Sequence, residues 1–217
     1  KLGEDAFGAF LLEQMTEFGV RTDKIVRTKE ANTGLAFVSL RENGERDFSF
    51  YRNPSADLLL KESEIDEDWF QQGDFLHFFF LFLVESPMKY AHLKAIGAAK
   101  ARGGIISFDP NVRLPLWENP EDCRKTILDF IPMAHIVKIS DDELEFITGT
   151  ADESKAIASL FKGDVQAVVL TKGAEGADLY AGNHKYSSAG YSVEVEDTTG
   201  AGDAFTAAFL VGELRGY

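Results

Sequence analysis

The sequence predicts an α/β fold in which a mostly parallel sheet is covered by helices on both faces. Short apolar segments rich in Val, Ile and Phe alternate with longer amphipathic segments along most of the chain. The apolar segments are nearly continuous rather than alternating with polar residues, as expected of strands buried on both faces. With 217 residues, of which 45% are hydrophobic and 27% charged, the chain is long enough for one sizeable core.

The first part of the chain predicts one helix followed by a β-hairpin. Apolar residues at helical spacing precede Gly19, which is expected to end the helix: Phe7, Phe10, Leu11, Met15 and Phe18. Residues 34–40 and 46–51 have strand patterns on either side of a turn at 42–45. The apolar face of such a hairpin has to be buried, either as a lid over a substrate or against the domain or a second subunit.

The rest of the chain alternates between strands and helices. Strands are predicted at 75–82, 104–108, 135–139 and 166–171, and helices at 64–70, 88–102, 121–131 and 141–162, the last broken at Gly149. A strand-like alternation at 192–195 precedes a glycine turn and a further helix. The longest apolar run, 75–84, is about half the length of a membrane span, so we expect no membrane partner. Ligands of such sheets bind at the carboxyl ends of the strands, where candidate site residues are sought.

The most informative stretch is D-T-T-G-A-G-D-A-F at 197–205. Three small residues leave their backbone N–H groups unshielded at a helix N-terminus, a site suited to phosphate: Gly200, Ala201 and Gly202. Asp203, in the same helical turn, is positioned to accept a proton from a hydroxyl that attacks that phosphate. The alternative is that Asp197 and Asp203 cap the helix and that the glycines only form a tight turn.

These nine residues resemble the C-terminal signature of the ribokinase (pfkB) family of carbohydrate kinases. The resemblance implies a ribokinase-like fold, with one domain over 1–217 in which residues 25–52 form a small β lid over the sugar. It implies a kinase that uses ATP to phosphorylate a primary hydroxyl. Residues 1–8 resemble the tail of the family's N-terminal signature, and the chain stops near the end of the signature helix, so we expect truncation at both ends.

The loop at 109–117 points to the substrate. Its D-P-N-x-R string resembles the corresponding loop of fructokinases and related keto-sugar kinases, which favours fructose. Kinases for 2-keto-3-deoxygluconate or for an aminoimidazole riboside share most of these motifs. Arg113 is expected to neutralise the transferring phosphate, and Asn111 to contact sugar and nucleotide. Alternatively, an ion pair between Asp109 and Arg113 only holds the loop.

Two strand ends supply further candidates. Ser140 and Glu143 match a capping box, which by itself explains both residues. By the resemblance, Glu143 corresponds to a glutamate that helps to hold Mg2+ through water, although Ser140 replaces the family's asparagine. Lys138 is expected to point at phosphate or to snorkel from the strand end.

The turn that follows the strand at 166–171 reads T-K-G-A-E-G and fits a plain hairpin or a turn that a ligand approaches. The resemblance implies nucleotide contacts there, from Thr171, Gly173 and Gly176. It also implies a monovalent cation, which we expect to be K+, at Asp197 and Thr199. Arg52 is expected either to face the sugar or to pair with Asp57.

Charge and cysteine content restrict the partners. The net charge of −14 argues against nucleic acid and requires local neutralisation of phosphate, and no Walker-type P-loop is present. The single cysteine, Cys123, favours a reducing, cytoplasmic compartment. The expected ligands are therefore ATP, Mg2+ and a small sugar, and a homodimer through the lid stays open. Two alternatives without catalysis are a sugar-responsive regulator and a nucleotide-binding domain that transfers nothing.

Overall fold

A computed structural model describes residues 1–40, 46–80, 83–194 and 197–216. The predicted hairpin turn at 42–45, the last two residues of the predicted strand 75–82, and Val195 lie outside these residues. The chain divides into two compact units. The first comprises Lys1–Trp69, Leu81–Ala98 and Leu114–Glu118, and the second comprises Phe70–Phe80, Ala99–Arg113 and Asn119–Tyr217. The expectation of a single domain over 1–217 stays a prediction.

The described part of the first unit contains two small sheets, a helix that precedes the hairpin, and most of the helix Pro87–Ala101. Its elements up to residue 51 are β1 (Leu2–Gly3), α1 (Ala6–Glu17), β2 (Arg27–Thr28), β3 (Leu35–Leu40) and β4 (Arg46–Tyr51). The Asp5 carboxylate accepts the Gly8 N–H at 2.8 Å and so begins α1. Strands β3 and β4 are antiparallel, with Leu35 opposite Tyr51, which confirms the predicted hairpin strands. The parallel pair β1–β2 was not predicted because two-residue strands carry no periodicity.

The second unit is built on a six-stranded sheet. Its strands are β5 (Phe75–Phe79), β6 (Ile105–Asp109), β7 (Ile136–Ser140), β8 (Ala167–Thr171), β9 (Ala177–Ala181) and β10 (His184–Ser188). The order is β10-β9-β8-β7-β6-β5. Strands β5 to β8 are parallel, β9 is antiparallel to β8, and β10 is antiparallel to β9. In β7 four consecutive residues, 136–139, are buried, so this strand is covered on both faces. The mostly parallel sheet with a separate small antiparallel sheet confirms the predicted fold class.

The α-helices that follow β5 are α2 (Pro87–Ala101), α3 (Pro120–Phe130), α4 (Asp141–Thr148), α5 (Glu153–Leu160) and α6 (Ala201–Leu214). Gly149 has a φ of 75° and ends α4, which confirms the predicted break between α4 and α5. Leu210 of α6 packs on Ile136 and Val169, so α6 is fixed against the sheet. None of the helices in the described part of the chain is long and apolar enough to cross a membrane.

The helix predicted at 64–70 is wrong. The segment forms two short 3-10 turns, Glu62–Glu64 and Glu67–Trp69. Acidic side chains bond to nearby backbone groups: Glu64 accepts the Lys61 N–H at 2.8 Å and Asp66 accepts the Asp68 N–H at 3.0 Å. Such local bonds compete with helix propagation, which explains why each turn stops after three residues.

The strand predicted at 192–195 is also wrong for the residues that are described, since 192–194 pair with no strand of the described chain. Val193 is 70% exposed, so the alternation has no buried face. Just before it, the backbone at Gly190 lies so close to the turn after β8 that a Cβ would come within 2.1 Å of the Ala174 carbonyl oxygen. The chain therefore crosses that turn as a loop.

Candidate active site

The glycine turn forms the start of α6, as the sequence predicts. Gly200 is the N-cap and has a φ of 78°, a left-handed conformation that favours glycine. The Thr199 N–H donates to Asp197 Oδ1 at 2.7 Å, and the Ala201 N–H donates to the Thr198 carbonyl at 3.2 Å. The amides of the following residues, Gly202 and Asp203, are first-turn donors with no carbonyl one turn earlier in the helix. The turn thus presents backbone donors where an anion can approach α6.

Asp203 is the third residue of α6 and is exposed. One helical turn further on, the buried Thr206 donates its hydroxyl to the Gly202 carbonyl at 2.9 Å, which fixes the first turn. The Asp203 carboxylate is therefore held on a rigid element next to the amide donors. This is the arrangement that a general base for phosphoryl transfer requires.

A buried ion pair lies beside the turn. Lys138 Nζ is 3.2 Å from Asp109 Oδ2, and the side chains are 10% and 1% exposed. A Cβ placed on Gly202 would lie 3.6 Å from the same Nζ, so the ammonium adjoins the anion site. Burial raises the pKa of Asp109 to about 6, against the opposing effect of Lys138 and with a further rise from the charge of Glu143. The Lys138 side chain is therefore buried and does not snorkel to solvent. Asp109 pairs with Lys138 and not with Arg113, the partner considered from the sequence.

Glu143 is held by three hydrogen bonds. Its Oε1 accepts the Val112 N–H at 2.6 Å, and its Oε2 accepts the N–H and the hydroxyl of Ser140 at 3.0 and 2.8 Å. The predicted capping box is present. These bonds use both lone pairs of Oε2 and leave one on Oε1. Glu143 is thus suited to one further hydrogen bond from a metal-bound water and not to direct ligation.

The D-P-N-x-R loop has an unusual backbone at Asn111, whose φ is 37°. Its N–H donates to Asp109 Oδ1 at 3.0 Å, which ties the loop to the end of β6. Arg113 is exposed and donates to the carbonyl of its own neighbour, Val112, at 2.9 Å. Arg52 belongs to the first unit, where its guanidinium forms an ion pair with Asp57. Of the two roles considered for Arg52, the structure contains this pair.

A cavity of about 590 Å³ brings together some of the candidate residues of the second unit, whereas Asp203, Glu143 and Arg113 are not among its lining residues. It is lined by predicted site residues from β7, from the turn after β8 and from α6: Lys138, Thr171, Gly173, Gly176, Ala201 and Gly202. Tyr191 and Val193, in the loop after β10, line it as well. The volume suits a nucleotide-sized ligand, and the first residues of α6, Ala201 and Gly202, form part of the wall.

Within the described residues, no three His, Cys, Asp or Glu side chains are grouped closely enough to hold a metal ion. The two residues considered for a monovalent cation, Asp197 and Thr199, lie together in the turn before α6.

Comparison with known proteins identifies the family. A family model described as pfkB family carbohydrate kinase matches residues 1–217. The chain belongs to the pfkB family of carbohydrate kinases. The chain is 42% identical over 212 residues to "Probable fructokinase-5" of Arabidopsis thaliana, and the match covers 97% of this chain and 65% of that protein. The chain thus spans about two thirds of the length of this relative.

Solved structures agree with the pfkB assignment. A fructokinase with bound ATP from Xylella fastidiosa superposes with a TM-score of 0.92 at 35% identity, covering 100% of this chain and 67% of that one. A fructokinase from Vibrio cholerae in a form that binds fructose, ADP and calcium gives 0.89 at 34% identity, covering 98% and 69%. The predicted ribokinase-like fold is therefore confirmed.

Sequence reasoning about this pfkB protein missed two buried groups near the glycine turn that begins α6. One is Asp109, considered only as a partner of Arg113. The other is His77. Its Nδ1 is hydrogen bonded to the Ser107 hydroxyl at 3.0 Å, and its Nε2 is buried without a partner among the described residues. Burial lowers the pKa of His77, the charge of Asp203 opposes this effect, and that of Lys138 adds to it. No sequence signal marks His77, because a histidine in an aromatic strand usually belongs to the core.

Proposed function

We propose that the protein is an ATP-dependent sugar kinase that transfers the γ-phosphoryl group to a primary hydroxyl of fructose. The observation that carries the proposal is that the cavity reaches the first turn of α6, where Ala201 and Gly202 line it. A nucleotide that fills the cavity along Thr171 and Gly173 directs its phosphates at Gly202, next to Asp203. The phosphate to be transferred and the carboxylate that activates the sugar hydroxyl then lie together at the N-terminus of α6.

In this mechanism Asp203 takes the proton of the attacking hydroxyl. The transition state of phosphoryl transfer is loose, so the position of the carboxylate matters more than its basicity. The amides of the turn stabilise charge on the phosphoryl oxygens, chiefly those of Gly202 and Asp203 because Ala201 already donates to Thr198. The Gly200 conformation keeps these donors aimed outward from α6.

Three further groups offset the phosphate charge, which the net charge of −14 makes necessary. Lys138 supplies a fixed ammonium beside the anion site. Mg2+ supplies charge neutralisation when bound, and Glu143 would hold one of its waters through Oε1. Arg113 is exposed and able to swing toward the phosphate, and Asn111 would contact nucleotide and sugar from the same loop. We further propose K+ at Asp197 and Thr199, where it would brace the turn.

Fructose is the proposed sugar because the chain is similar to proteins named fructokinases, including one whose structure holds fructose. 2-Keto-3-deoxygluconate and an aminoimidazole riboside or another nucleoside are the competing substrates. A regulator that binds sugar without transfer is the competing class. An intact Asp203 beside intact glycines favours catalysis over that class.

The test is ATP turnover by the full-length protein with Mg2+ against fructose, ribose, glucose, 2-keto-3-deoxygluconate and adenosine. We expect turnover with fructose alone. Turnover with another sugar would overturn the choice of fructose and leave the assignment of Asp203 intact. Binding of ATP or sugar without any phosphorylation would favour the regulator.

The proposal extends to assembly and location. Phe37 and Val38 are neighbours in β3, so they point to opposite faces of the hairpin, and they are 56% and 51% exposed. One apolar face is available to cover a sugar and the other to pair with a second copy of the chain. Sedimentation of the wild type and of Val38→Ser tests this dimer, which the substitution should weaken. We also propose a cytoplasmic location, since Cys123 is buried and has no cysteine to pair with.

A further inference from the structure

Four charged side chains form a closed network next to the nucleotide turn. Lys172 Nζ lies 2.6 Å from Asp178 Oδ2 and 2.8 Å from Glu153 Oε2. Lys185 Nζ lies 3.1 Å from Asp178 Oδ2 and 3.4 Å from Glu153 Oε1. Each carboxylate therefore pairs with both ammonium groups, and the network as a whole is neutral.

Neutral side chains complete the network. The Tyr180 hydroxyl donates to Glu153 Oε1 at 2.6 Å, and the Ser187 hydroxyl donates to Asp178 at 2.5 Å. The Asp178 side chain is only 8% exposed. Burial alone would raise the pKa of Asp178, but hydrogen bonds from Lys172, Ser187 and Lys185 outweigh it and lower that pKa to about 2. These bonds make the network more than a set of exposed ion pairs, which contribute little.

The network joins α5, β9 and β10 to Lys172, in the turn that follows β8. Glu153 is the first residue of α5, Asp178 lies in β9, and Lys185 lies in β10. Lys172 follows the last residue of β8, and its N–H donates to the Gly176 carbonyl at 2.8 Å. Its neighbours on both sides, Thr171 and Gly173, line the cavity, whereas Lys172 is not among the described residues that do so. The lysine side chain is thus anchored outside the cavity while the backbone around it forms the wall.

The turn after β8 also packs against the end of β10. A Cβ on Gly176 would come within 2.0 Å of the Ser188 carbonyl oxygen, so the turn lies in backbone contact with the end of β10. Asp178 is bonded to Ser187 and Lys185 of β10. The network consequently fixes both the turn and the strand end against which the turn packs.

We propose that Glu153, Lys172, Asp178 and Lys185 are positioning residues that set the affinity for the nucleotide by holding the Thr171–Gly176 turn in its binding conformation. This inference rests on the proposed function, because it assumes that the cavity takes ATP. None of the four side chains needs to touch the nucleotide. Their effect is to remove the cost of ordering the turn when the ligand binds.

The test uses the full-length protein with Lys172→Met, which keeps an unbranched side chain one atom shorter and removes its charge. We expect the Kd for ATP, measured calorimetrically without sugar, and the KM for ATP to rise roughly fivefold to tenfold while the KM for the sugar stays unchanged. Glu153→Gln should likewise raise the Kd and the KM for ATP and leave the KM for the sugar unchanged. It serves as the second variant if Lys172→Met folds poorly. Lys172→Arg, which keeps the charge, should recover most of the affinity.

The matched control is Lys155→Met, in the same helix as Glu153. Lys155 is 78% exposed and pairs only with Asp152 among the described residues, at 3.1 Å, so its loss should change neither constant. Wild-type affinity for ATP in both test variants, or an equal rise of both KM values, would overturn the inference. A wild-type protein that binds no ATP would overturn the proposed function and the inference with it, so the two failures are distinguishable.

Discussion

Lys138 and Asp109 form a buried ion pair across neighbouring parallel strands, with 3.2 Å between Nζ and Oδ2. Strands β6 and β7 pair Phe108 with Val137. Asp109 and Lys138 follow these residues directly, so the same register places them side by side. A buried ion pair is not in itself a source of stability, since desolvation offsets much of the attraction. Because Lys138 Nζ adjoins Gly202, we propose that the ion pair holds one fixed cation where phosphate would bind.

Replacing Lys138 with Met should weaken the binding of ATP. The substitution removes a charge-assisted contact to phosphate, so we expect the KM for ATP to rise roughly 10-fold or more. It also leaves the Asp109 carboxylate buried without its partner, which should lower stability.

The double variant Lys138→Met/Asp109→Asn separates the two effects. Stability should return toward that of the wild type because no unpaired buried charge remains, whereas the affinity for ATP should stay low. Unfolding in urea and titration with ATP measure these quantities. Recovery of ATP affinity in the double variant would show that Lys138 does not bind phosphate.

Asp203→Asn should retain nucleotide binding and lose turnover by about 10²- to 10⁴-fold, because the amide cannot accept the proton of the attacking hydroxyl. Steady-state kinetics and ATP titration on the same preparation provide the measurement. Glu213→Gln, an exposed change further along α6, is the control and should remain active. Near-normal turnover by Asp203→Asn would contradict its role as the base.

Asp109 should impose a pH dependence on stability. Its pKa rises from the ordinary value of 3.8 to about 6 in the folded state, so between these values the folded protein binds a proton that the unfolded chain does not. The free energy of unfolding should therefore fall as pH increases from about 4 to about 6, by up to about 3 kcal/mol, and the loss should be complete above that range.

Urea unfolding of wild type and Asp109→Asn at several pH values measures this contribution, since other titrating groups cancel in the difference. The difference in free energy, wild type minus variant, should decrease between pH 4 and 6 and then level off. Asp129→Asn, at an exposed position, controls for the loss of a carboxylate. Parallel curves for wild type and Asp109→Asn would contradict the prediction.

Gly202→Ala should damage function without damaging the fold. The new methyl group would lie 3.6 Å from Lys138 Nζ, an ordinary contact that the structure accommodates, but it would occupy the space where phosphate approaches the amide. We expect Tm to be unchanged or higher and kcat/KM for ATP to fall at least roughly 10-fold.

Gly212→Ala is the matched control in the same helix, and its added Cβ would meet no group within 4 Å apart from the nearby backbone of α6 and its chain neighbours. It should increase stability by about 0.5–1 kcal/mol through helix propensity and leave the kinetics unchanged. Wild-type kinetics in Gly202→Ala would exclude that amide from the anion site.

Local signals in the sequence were sufficient for much of the fold and part of the site. Continuous apolar segments predicted β5 to β8, and Gly149 predicted the end of α4. The string at 197–205 predicted the glycine turn, the start of α6 and the position of Asp203 within it. These features depend on residues that are close in the chain, so periodicity and glycine positions identify them.

The tertiary structure alone decided the partners of the charged residues. Asp109 pairs with Lys138 rather than Arg113, and Glu143 accepts the Val112 N–H as well as capping α4. It also decided that 192–194 is a loop, because strand pairing depends on which backbone is adjacent and not on alternation alone. Ion pairs and hydrogen bonds between distant residues form only when the sheet brings strand ends together, and a sequence pattern does not encode that proximity.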